Sequence, residues 1–204
     1  ACLLKNNIPF VVLNPSSPQQ AGCSVGVDHF LGGYLAGRHL LEGGRRRIAI
    51  LRNNLSDPYH NLRFNGVLKA MSEFKTPLDM SLVKFTGGGN FPEAGETDEE
   101  TAFDELFSGG DRPPDAVFAG NDYRAIKLLD YCARKNISVP GDVAVVGYDN
   151  LEESAMVSPA LTTIDLRMHE LCSSAFSLLE EAMSGGAAAG RAMVRPELVV
   201  RESS

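Results

Sequence analysis

Short apolar runs that alternate with longer amphipathic stretches constrain the fold of this chain more than any other feature. The apolar runs lie at residues 8–13, 48–51, 82–85, 116–119, 143–146, 161–165 and 194–201. Stretches with helical spacing lie between them, at residues 28–42, 59–74, 99–107, 121–136 and 168–183. Strands joined through helices pair in parallel, and right-handed crossovers place those helices on both faces of the sheet. The sequence therefore predicts an α/β fold with parallel sheets flanked by helices.

Charge and the length of the apolar runs argue against a nucleic-acid-binding surface and against a membrane-spanning protein, respectively. The chain has 19 Lys and Arg residues against 26 Asp and Glu residues, for a formal net charge of −7. It contains no basic block that would bind nucleic-acid phosphates, so we expect any contact with DNA to come from residues outside this sequence. The longest apolar run is far shorter than the roughly 18 residues of a membrane-spanning helix.

The spacing of the cysteines and the first residues of the chain favour a cytoplasmic location. Cys2, Cys23, Cys132 and Cys172 are scattered and form no Cys-x-x-Cys pair, so we expect free thiols in a reducing, cytoplasmic environment. No charged segment followed by an apolar one opens the chain, as a signal peptide would. The chain begins at Ala1, within what reads as the end of a helix, and we expect a fragment or a processed core.

Polar and aromatic residues follow four of the predicted strands, at the edge where open parallel sheets bind ligands. In chain order they are Asp57, Arg63, Asn90, Phe91, Asn121, Asp122, Tyr123 and Asp149. An arginine offers a rigid fork of donors, and carboxylate or amide groups bridge neighbouring hydroxyls. Phe91 is suited to cover an apolar ring face. This set predicts a site that binds a small polyhydroxylated or heterocyclic ligand without transforming it.

Each of these residues also has a purely structural interpretation. Asn121 and Asp122 begin a helix, where capping is the preferred role for Asp122 and an equal alternative for Asn121. Asp149 is consistent with a turn residue, Arg63 with a solvent-facing ion pair, and Phe91 with packing beneath a loop. The convergence of four loops at one edge is what favours a binding site.

Two patterns typical of enzymes occur without the context that they need. Gly22-Cys-Ser-Val-Gly26 has the spacing of a nucleophile elbow, which requires a strand, a strained turn and a helix in succession. The preceding predicted strand ends near Leu13 and the helix begins near Asp28, so Ser24 lacks that setting. Gly87-Gly88-Gly89 is followed by no Gly-Lys-Ser/Thr, as a phosphate loop would be. We expect no catalytic residue, cofactor or metal, and an enzyme is the least favoured function.

The basic run Arg45-Arg46-Arg47 stands between a predicted helix and a predicted strand. Basic residues at a helix C terminus interact favourably with the helix dipole. That position explains the run better than a phosphate contact does.

Several motifs, taken in order, resemble the LacI/GalR family of bacterial transcriptional regulators. The matching stretches are Val27-Asp28 with Gly33 and Ala36, His39-Leu40-Leu41, residues 44–49, Arg63-Phe-Asn-Gly66, and residues 114–122, 139–150 and 158–164. The resemblance covers almost the whole chain. The succession of Val139-Pro140, Gly147-Tyr-Asp-Asn150 and Pro159-Ala-Leu-Thr-Thr163 is more specific than any single motif.

The resemblance implies a periplasmic-binding-protein-like core of two α/β lobes, between which the chain crosses three times. We expect residues 1–45 and 165–190 to form the N-terminal lobe and residues 46–164 and 191–204 to form the C-terminal lobe. The N-terminal lobe is expected to be incomplete. The helix-turn-helix with which family members begin is not among these residues.

The family binds a small effector in the cleft between the lobes. By motif, Arg63 resembles the family's ligand arginine, Asp149 its ligand aspartate, and Asn121 its polar residue after a strand. Phe91 resembles an aromatic residue that stacks on the ligand in some purine-responsive members, and Asp28 matches a position that reaches the site from the other lobe. Tyr123 completes the predicted effector-binding set.

The function implied by the resemblance is that of a repressor-type regulator, of which this chain is the effector-binding and dimerisation core. Operator DNA would be read by a helix-turn-helix outside the chain. No heptad pattern follows Arg201, so we expect a homodimer and no zipper-joined tetramer. A sugar is the preferred effector and a purine-like molecule the second choice. The alternative function is that of an extracytoplasmic sugar-binding protein of a transporter.

Overall fold

The computed structural model describes residues 2–6, 8–15, 23–52, 58–86, 98–108, 112–184 and 190–204. They form two compact units, a smaller one of Ala1–Asp28 and Leu166–Pro196 and a larger one of His29–Asp165 and Glu197–Ser204. The predicted lobes had boundaries after residues 45, 164 and 190. The first and last boundaries differ because the helix that begins at His29 packs in the larger unit, while the strand that ends at Val194 pairs in the smaller one.

The elements of the described residues follow the predicted alternation of strands and helices. The helices are α1 (Cys2–Lys5), α2 (His29–Glu42), α3 (Pro58–Glu73), α4 (Glu99–Phe107), α5 (Asp122–Lys135) and α6 (Met168–Met183). The strands are β1 (Val11–Leu13), β2 (Cys23–Val27), β3 (Ile48–Arg52), β4 (Val83–Phe85), β5 (Ala116–Ala119), β6 (Ala144–Val146), β7 (Thr163–Asp165), β8 (Arg191–Val194) and β9 (Glu197–Val199). Two 3-10 turns lie at Met80–Leu82 and Glu152–Ala155. The α/β class is confirmed.

The smaller unit contains a parallel sheet in the order β1-β2-β8. Helix α6 packs on it through Leu171, which is buried against Val25, Val27 and Val194. Strand β2 was not predicted, because Ser24 and Gly26 interrupt its apolar pattern. Ser24 is buried in mid-strand, paired to both neighbours, and so does not stand at the tip of a strained turn as the nucleophile elbow requires.

The last predicted strand, residues 194–201, is in fact two strands. Strand β8 ends at Val194, Pro196 follows, and β9 pairs antiparallel with β7 in the larger unit. Proline has no backbone N–H to donate to a ladder, so a continuous strand through residue 196 is disfavoured.

The larger unit is built on a parallel sheet in the order β4-β3-β5-β6. On one face, alternate residues such as Ala49, Leu51 and Val117 form a core with side chains of α4 and α5. Successive strand residues point to opposite faces, so Ile48 and Ile50 face the other side. Both faces are covered, as expected for parallel strands with every residue of β3 and β5 buried.

Helices α2 and α3 cross with their backbones in close contact. A Cβ added at Gly33 would overlap the carbonyl oxygen of Arg63, and one at Gly66 would overlap that of Phe30. Glycine at both positions lets the backbone at Arg63 lie directly against α2. This crossing positions the candidate site.

Two further features concern the chain as a whole. In the described ranges, no helix combines the length and apolar character needed to cross a membrane. Cys23 and Cys132 are buried free thiols, and Cys172 is an exposed one, as predicted.

Candidate functional site

Polar residues gather at the carboxyl edge of the four-stranded sheet in the larger unit. Arg52 ends β3 and Thr86 follows β4, and the Thr86 amide donates to the Arg52 carbonyl at 3.0 Å. Gly120 and Asn121 follow β5, and Tyr148 and Asp149 come shortly after β6. We call these six residues the rim. Parallel strands present their carboxyl ends at one edge, which is where ligands bind in such sheets.

Arg63 lies beneath the rim with its guanidinium held in place. It projects from α3 and is 8% exposed. Its Nη1 donates to the carbonyl of Gly120 at 2.5 Å, and its Nε lies 3.4 Å from Nδ1 of His29. Its Cζ is 3.8 Å from the centre of the Tyr148 ring, within range of a cation–π contact. Three elements therefore fix this arginine before any ligand arrives.

Tyr148 is itself fixed by the first turn of α2. Its hydroxyl lies 3.0 Å from Nδ1 of His29, and the two rings stack with centroids 5.8 Å apart. A Cβ added at Gly32 would overlap the Tyr148 hydroxyl, so only glycine fits there. Because a guanidinium can only donate, Nδ1 of His29 is the acceptor in its contact with Arg63.

Asp149 faces Arg63 across the rim. Its Oδ1 is 3.7 Å from Nη2 of Arg63, and its side chain is 27% exposed. Burial raises the pKa of the Asp149 carboxyl to about 6; the Asp122 carboxylate adds to that rise, while Arg63 and Arg124 oppose it. The Asp149 φ of 113° lies in a region that favours glycine, a kind of strain that concentrates at functional sites. The backbone at Asp149 is thus strained, and its carboxylate is largely buried but still reachable from solvent.

Of the two residues after β5, Asn121 caps the helix and Asp122 does not. Asn121 is the N-cap of α5, since its Oδ1 accepts from the Arg124 amide at 3.0 Å. Asp122, for which capping was preferred, instead accepts from the Thr163 hydroxyl at 2.5 Å and from the Leu151 amide at 2.8 Å. Burial raises its pKa, against the effect of those hydrogen bonds. Asp122 therefore ties α5 to the segments around β7 and residue 151. The cap uses Oδ1 of Asn121, so its amide group stays a predicted ligand donor.

The other predicted residues lie elsewhere. Tyr123 is 53% exposed, with Nζ of Lys127 at 4.4 Å from its ring. Among the described contacts, none joins Tyr123 to Arg63 or Asp149. Asp28 belongs to the smaller unit, where its amide donates to Val194 at 3.0 Å. Phe91 lies outside the described residues, as do Asp57 and Asn90.

Two buried arginines at this edge were missed by the sequence reasoning. Arg52 is 3% exposed, donates to Oδ1 of Asn61, and lies 4.5 Å from the Phe64 ring and 5.3 Å from the Phe85 ring. Its signal was a single charge directly after the apolar run 48–51. Arg124 is fully buried and donates to the Thr86 carbonyl at 2.7 Å. Nothing in the sequence around Arg124 distinguishes it from an exposed helix residue.

The groups at this edge have the chemistry to hold a polar ligand. It offers guanidinium and amide donors beside a carboxylate acceptor, a combination that matches vicinal hydroxyls. Across the described part of the chain, no three His, Cys, Asp or Glu side chains converge as a metal site requires.

Comparison with known proteins places this geometry in a family. Residues 38–204 match the family of periplasmic binding protein-like domains. The HTH-type transcriptional repressor PurR of Edwardsiella ictaluri is 36% identical over 201 residues, which cover 97% of this chain and 56% of that protein. The repressor of the same name from Actinobacillus pleuropneumoniae serotype 3 is 30% identical over 202 residues, which are 97% of this chain and 57% of the relative. The chain thus spans little more than half the length of these relatives.

Solved structures agree with that placement. The transcriptional regulator CelR in complex with cellobiose is 26% identical and aligns over 99% of this chain and 61% of its own, with a TM-score of 0.84. A LacI-family regulator from Enterococcus faecium with bound ribose is also 26% identical, covering 99% of this chain and 72% of that one, with a TM-score of 0.83. The chain belongs to the periplasmic binding protein-like domain family and is an effector-binding core of the LacI type.

Proposed function

We propose that this chain is the effector-binding core of a ligand-responsive transcriptional repressor, and that the effector binds at the rim. The observation that carries the proposal is the convergence of Arg63 and Asp149. They come from a helix and from a loop far apart in the chain, yet their charged atoms lie 3.7 Å apart. The carboxylate of Asp149 is 27% exposed, so the pair is placed to bind a polar ligand.

The arrangement suits tight binding because it is preorganised. Arg63 already has its contacts to Gly120, His29 and Tyr148, so little side-chain entropy is lost when a ligand arrives. The carboxylate of Asp149 is largely desolvated, which strengthens each hydrogen bond that it accepts. Asn121, one strand away, would add an amide donor. Asp28, Phe91 and Tyr123 stay predicted members of the site.

A sugar is the effector class that we propose, with a purine-like molecule as the second choice. A carboxylate and a guanidinium side by side bind adjacent hydroxyls in bidentate fashion. Two solved relatives hold sugars, cellobiose in one and ribose in the other. Both are similar to this chain over 99% of its length.

Regulation requires that the effector bind one conformation of the protein more tightly than another, since equal affinity for both shifts no equilibrium. We propose that the complete protein reads its operator through the helix-turn-helix that its relatives' names record. We also propose that it acts as a homodimer in the cytoplasm, and sedimentation equilibrium of this chain tests the dimer.

The test is a calorimetric titration of mono- and disaccharides, with purine bases and nucleosides as a second panel. The informative variant is Asp149→Asn, which keeps the shape of the side chain and removes its charge. Its control is Asp130→Asn, the same change at a side chain that is 71% exposed on α5. We expect the best ligand to lose about tenfold to a hundredfold in affinity in Asp149→Asn, because a hydrogen bond to a charged group contributes about 1.5–3 kcal/mol.

Affinity equal in Asp149→Asn and in the control would place the ligand away from the rim. A purine that binds while every sugar fails would keep the site and replace the proposed effector class.

A further inference from the structure

The opposite edge of the same sheet carries an unexplained basic cavity. Strands β3, β4 and β5 lie side by side and begin at this amino edge. A cavity of about 300 Å³ lies there, lined by the cationic side chains of Arg47, Lys84 and Arg112. Glu105 is the one acidic residue in its described lining. The chain has a net charge of −7, so this local excess of positive charge runs against its overall composition.

In the basic run, the side chain of Arg46 bonds to the end of a helix, and Arg47 is the member that faces the cavity. Arg45 donates to the Pro140 carbonyl at 2.5 Å, and Arg46 donates to the Leu41 carbonyl, near the end of α2, at 2.7 Å. Arg47 turns towards the cavity, where its Nε donates to the Arg112 carbonyl at 2.8 Å and its Nη1 to Asp79 at 2.9 Å. The bond to Arg112 joins the approaches to β3 and β5 and holds the two arginines at one wall.

The charges of the cavity are incompletely neutralised. Lys84 pairs with Glu105 at 2.6 Å, and its side chain is 19% exposed. Arg112 is exposed, and within the described residues its side chain forms neither an ion pair nor a hydrogen bond. Arg47 pairs with Asp79 and Lys84 with Glu105, so Arg112 carries the charge that no described carboxylate meets. A planar guanidinium of this kind fits the oxygens of a phosphate group.

We propose that this cavity is a second small-molecule site, which binds a phosphate group, either free phosphate or a phosphate monoester. Its size is at the lower end of the roughly 300–1,000 Å³ of small-ligand pockets, so it leaves room for an organic part beside the phosphate. The site is independent of the rim, because it lies at the amino ends of the strands whose carboxyl ends form the rim.

The test is calorimetric titration of the chain with inorganic phosphate, in a chloride buffer of low ionic strength, with ribose 5-phosphate as the second titrant. Arg112→Ala is the informative variant, since the side chain that it removes holds no described contact. Arg195→Ala is the matched control, an exposed arginine of the smaller unit with no described ion pair or side-chain hydrogen bond. Arg63→Ala reports on phosphate bound at the rim instead.

We expect saturable binding of one phosphate per chain, weakened about tenfold or more in Arg112→Ala and unchanged in Arg195→Ala and Arg63→Ala. Tighter binding of ribose 5-phosphate than of phosphate would identify a monoester site, and equal binding would identify recognition of the phosphate alone. The proposal is overturned if the wild-type chain shows no saturation, if Arg112→Ala binds as well as Arg195→Ala, or if only Arg63→Ala loses binding.

Discussion

The two edges of the four-stranded sheet differ in how deeply their charged side chains are buried and in how they are bonded. Beside the rim, Arg63 and Asp122 are buried, and each is held by several hydrogen bonds or ring contacts. At the amino edge, Arg47 and Asp79 form a pair whose side chains are 36% and 40% exposed. Buried charges must be fully bonded or they destabilise the fold, whereas exposed pairs are screened by water. The comparison shows that charged groups beside the rim depend on particular buried hydrogen bonds, whereas the exposed ion pair at the amino edge depends on its partner only weakly.

The largest difference between the edges should appear when a carboxylate is removed from each. Asp122→Ala leaves the buried Thr163 hydroxyl and Leu151 amide without their acceptor. We expect it to lower the free energy of unfolding by about 2–4 kcal/mol. Asp79→Ala removes a side chain that is 40% exposed, pairs with Arg47 and caps the turn at Ser81, and we expect a smaller loss of about 1 kcal/mol. Urea unfolding of both variants measures this. Similar losses at the two positions would show that burial does not separate the edges.

Close packing of α2 on α3 should be the next largest effect, because it holds the backbone at Arg63 directly against α2. A Cβ at Gly33 would overlap the Arg63 carbonyl, so Gly33→Ala should destabilise the chain by about 1–3 kcal/mol. Gly43→Ala is the matched control, at a position where a Cβ meets its nearest atoms at 3.4 Å. Thermal melts compare the two variants. If the two variants have the same melting temperature, α2 and α3 are packed less closely than the structure indicates.

The pH dependence of stability should also separate the edges. The folded pKa of Asp149 is raised to about 6 from an ordinary value of 3.8, so the folded state holds this proton more tightly than the unfolded state does. Its contribution to stability therefore falls as the pH rises from about 4 to 6 and stays lost above that window. We expect Asp149→Asn to be more stable than the wild type at pH 7.5, relative to pH 4.5, by about 1–3 kcal/mol.

Urea titrations of the wild type and of Asp149→Asn at those two pH values measure this effect. Parallel pH profiles would mean that the carboxyl is well solvated. If Asp149→Asn gains stability and loses ligand affinity, the Asp149 carboxylate contributes to binding while it destabilises the folded state.

The smallest effect belongs to the ion pair within the amino edge. Removing the pairing of Lys84 with Glu105 should change the free energy of unfolding by at most about 1 kcal/mol, because the Glu105 side chain is 51% exposed. A double-mutant cycle with Lys84→Gln and Glu105→Gln measures the coupling. A coupling well above that value would mean that the pair is structural.

What sequence could predict here depended on whether the signal was local. Helices such as α5 and α6 were placed correctly because their apolar periodicity lies within the element. Strand β2 was missed because Ser24 and Gly26 hide a strand whose burial comes from its two partners. Arg63 and Asp149 were predicted because each follows a strand and matches a family motif.

The support around those two residues was out of reach of sequence reasoning. His29 contacts Arg63 from 34 positions away and Tyr148 from 119 positions away. Gly32 matters only because the Tyr148 hydroxyl occupies the space of its missing side chain. Such roles depend on contacts between distant elements, which no local pattern records.

The most direct test of the account is a chemical-shift map of the effector site. In ¹H–¹⁵N spectra of the chain titrated with the best sugar of the screen, we expect the largest shifts at the Arg63 Nε–H and at the amides of Gly120, Asn121 and Asp149. The amides of Arg47, Lys84 and Arg112 should stay in place, since they lie at the other edge of the sheet. A map in which Arg63 and Asp149 are silent while a different surface responds would contradict the claim that the rim is the effector site.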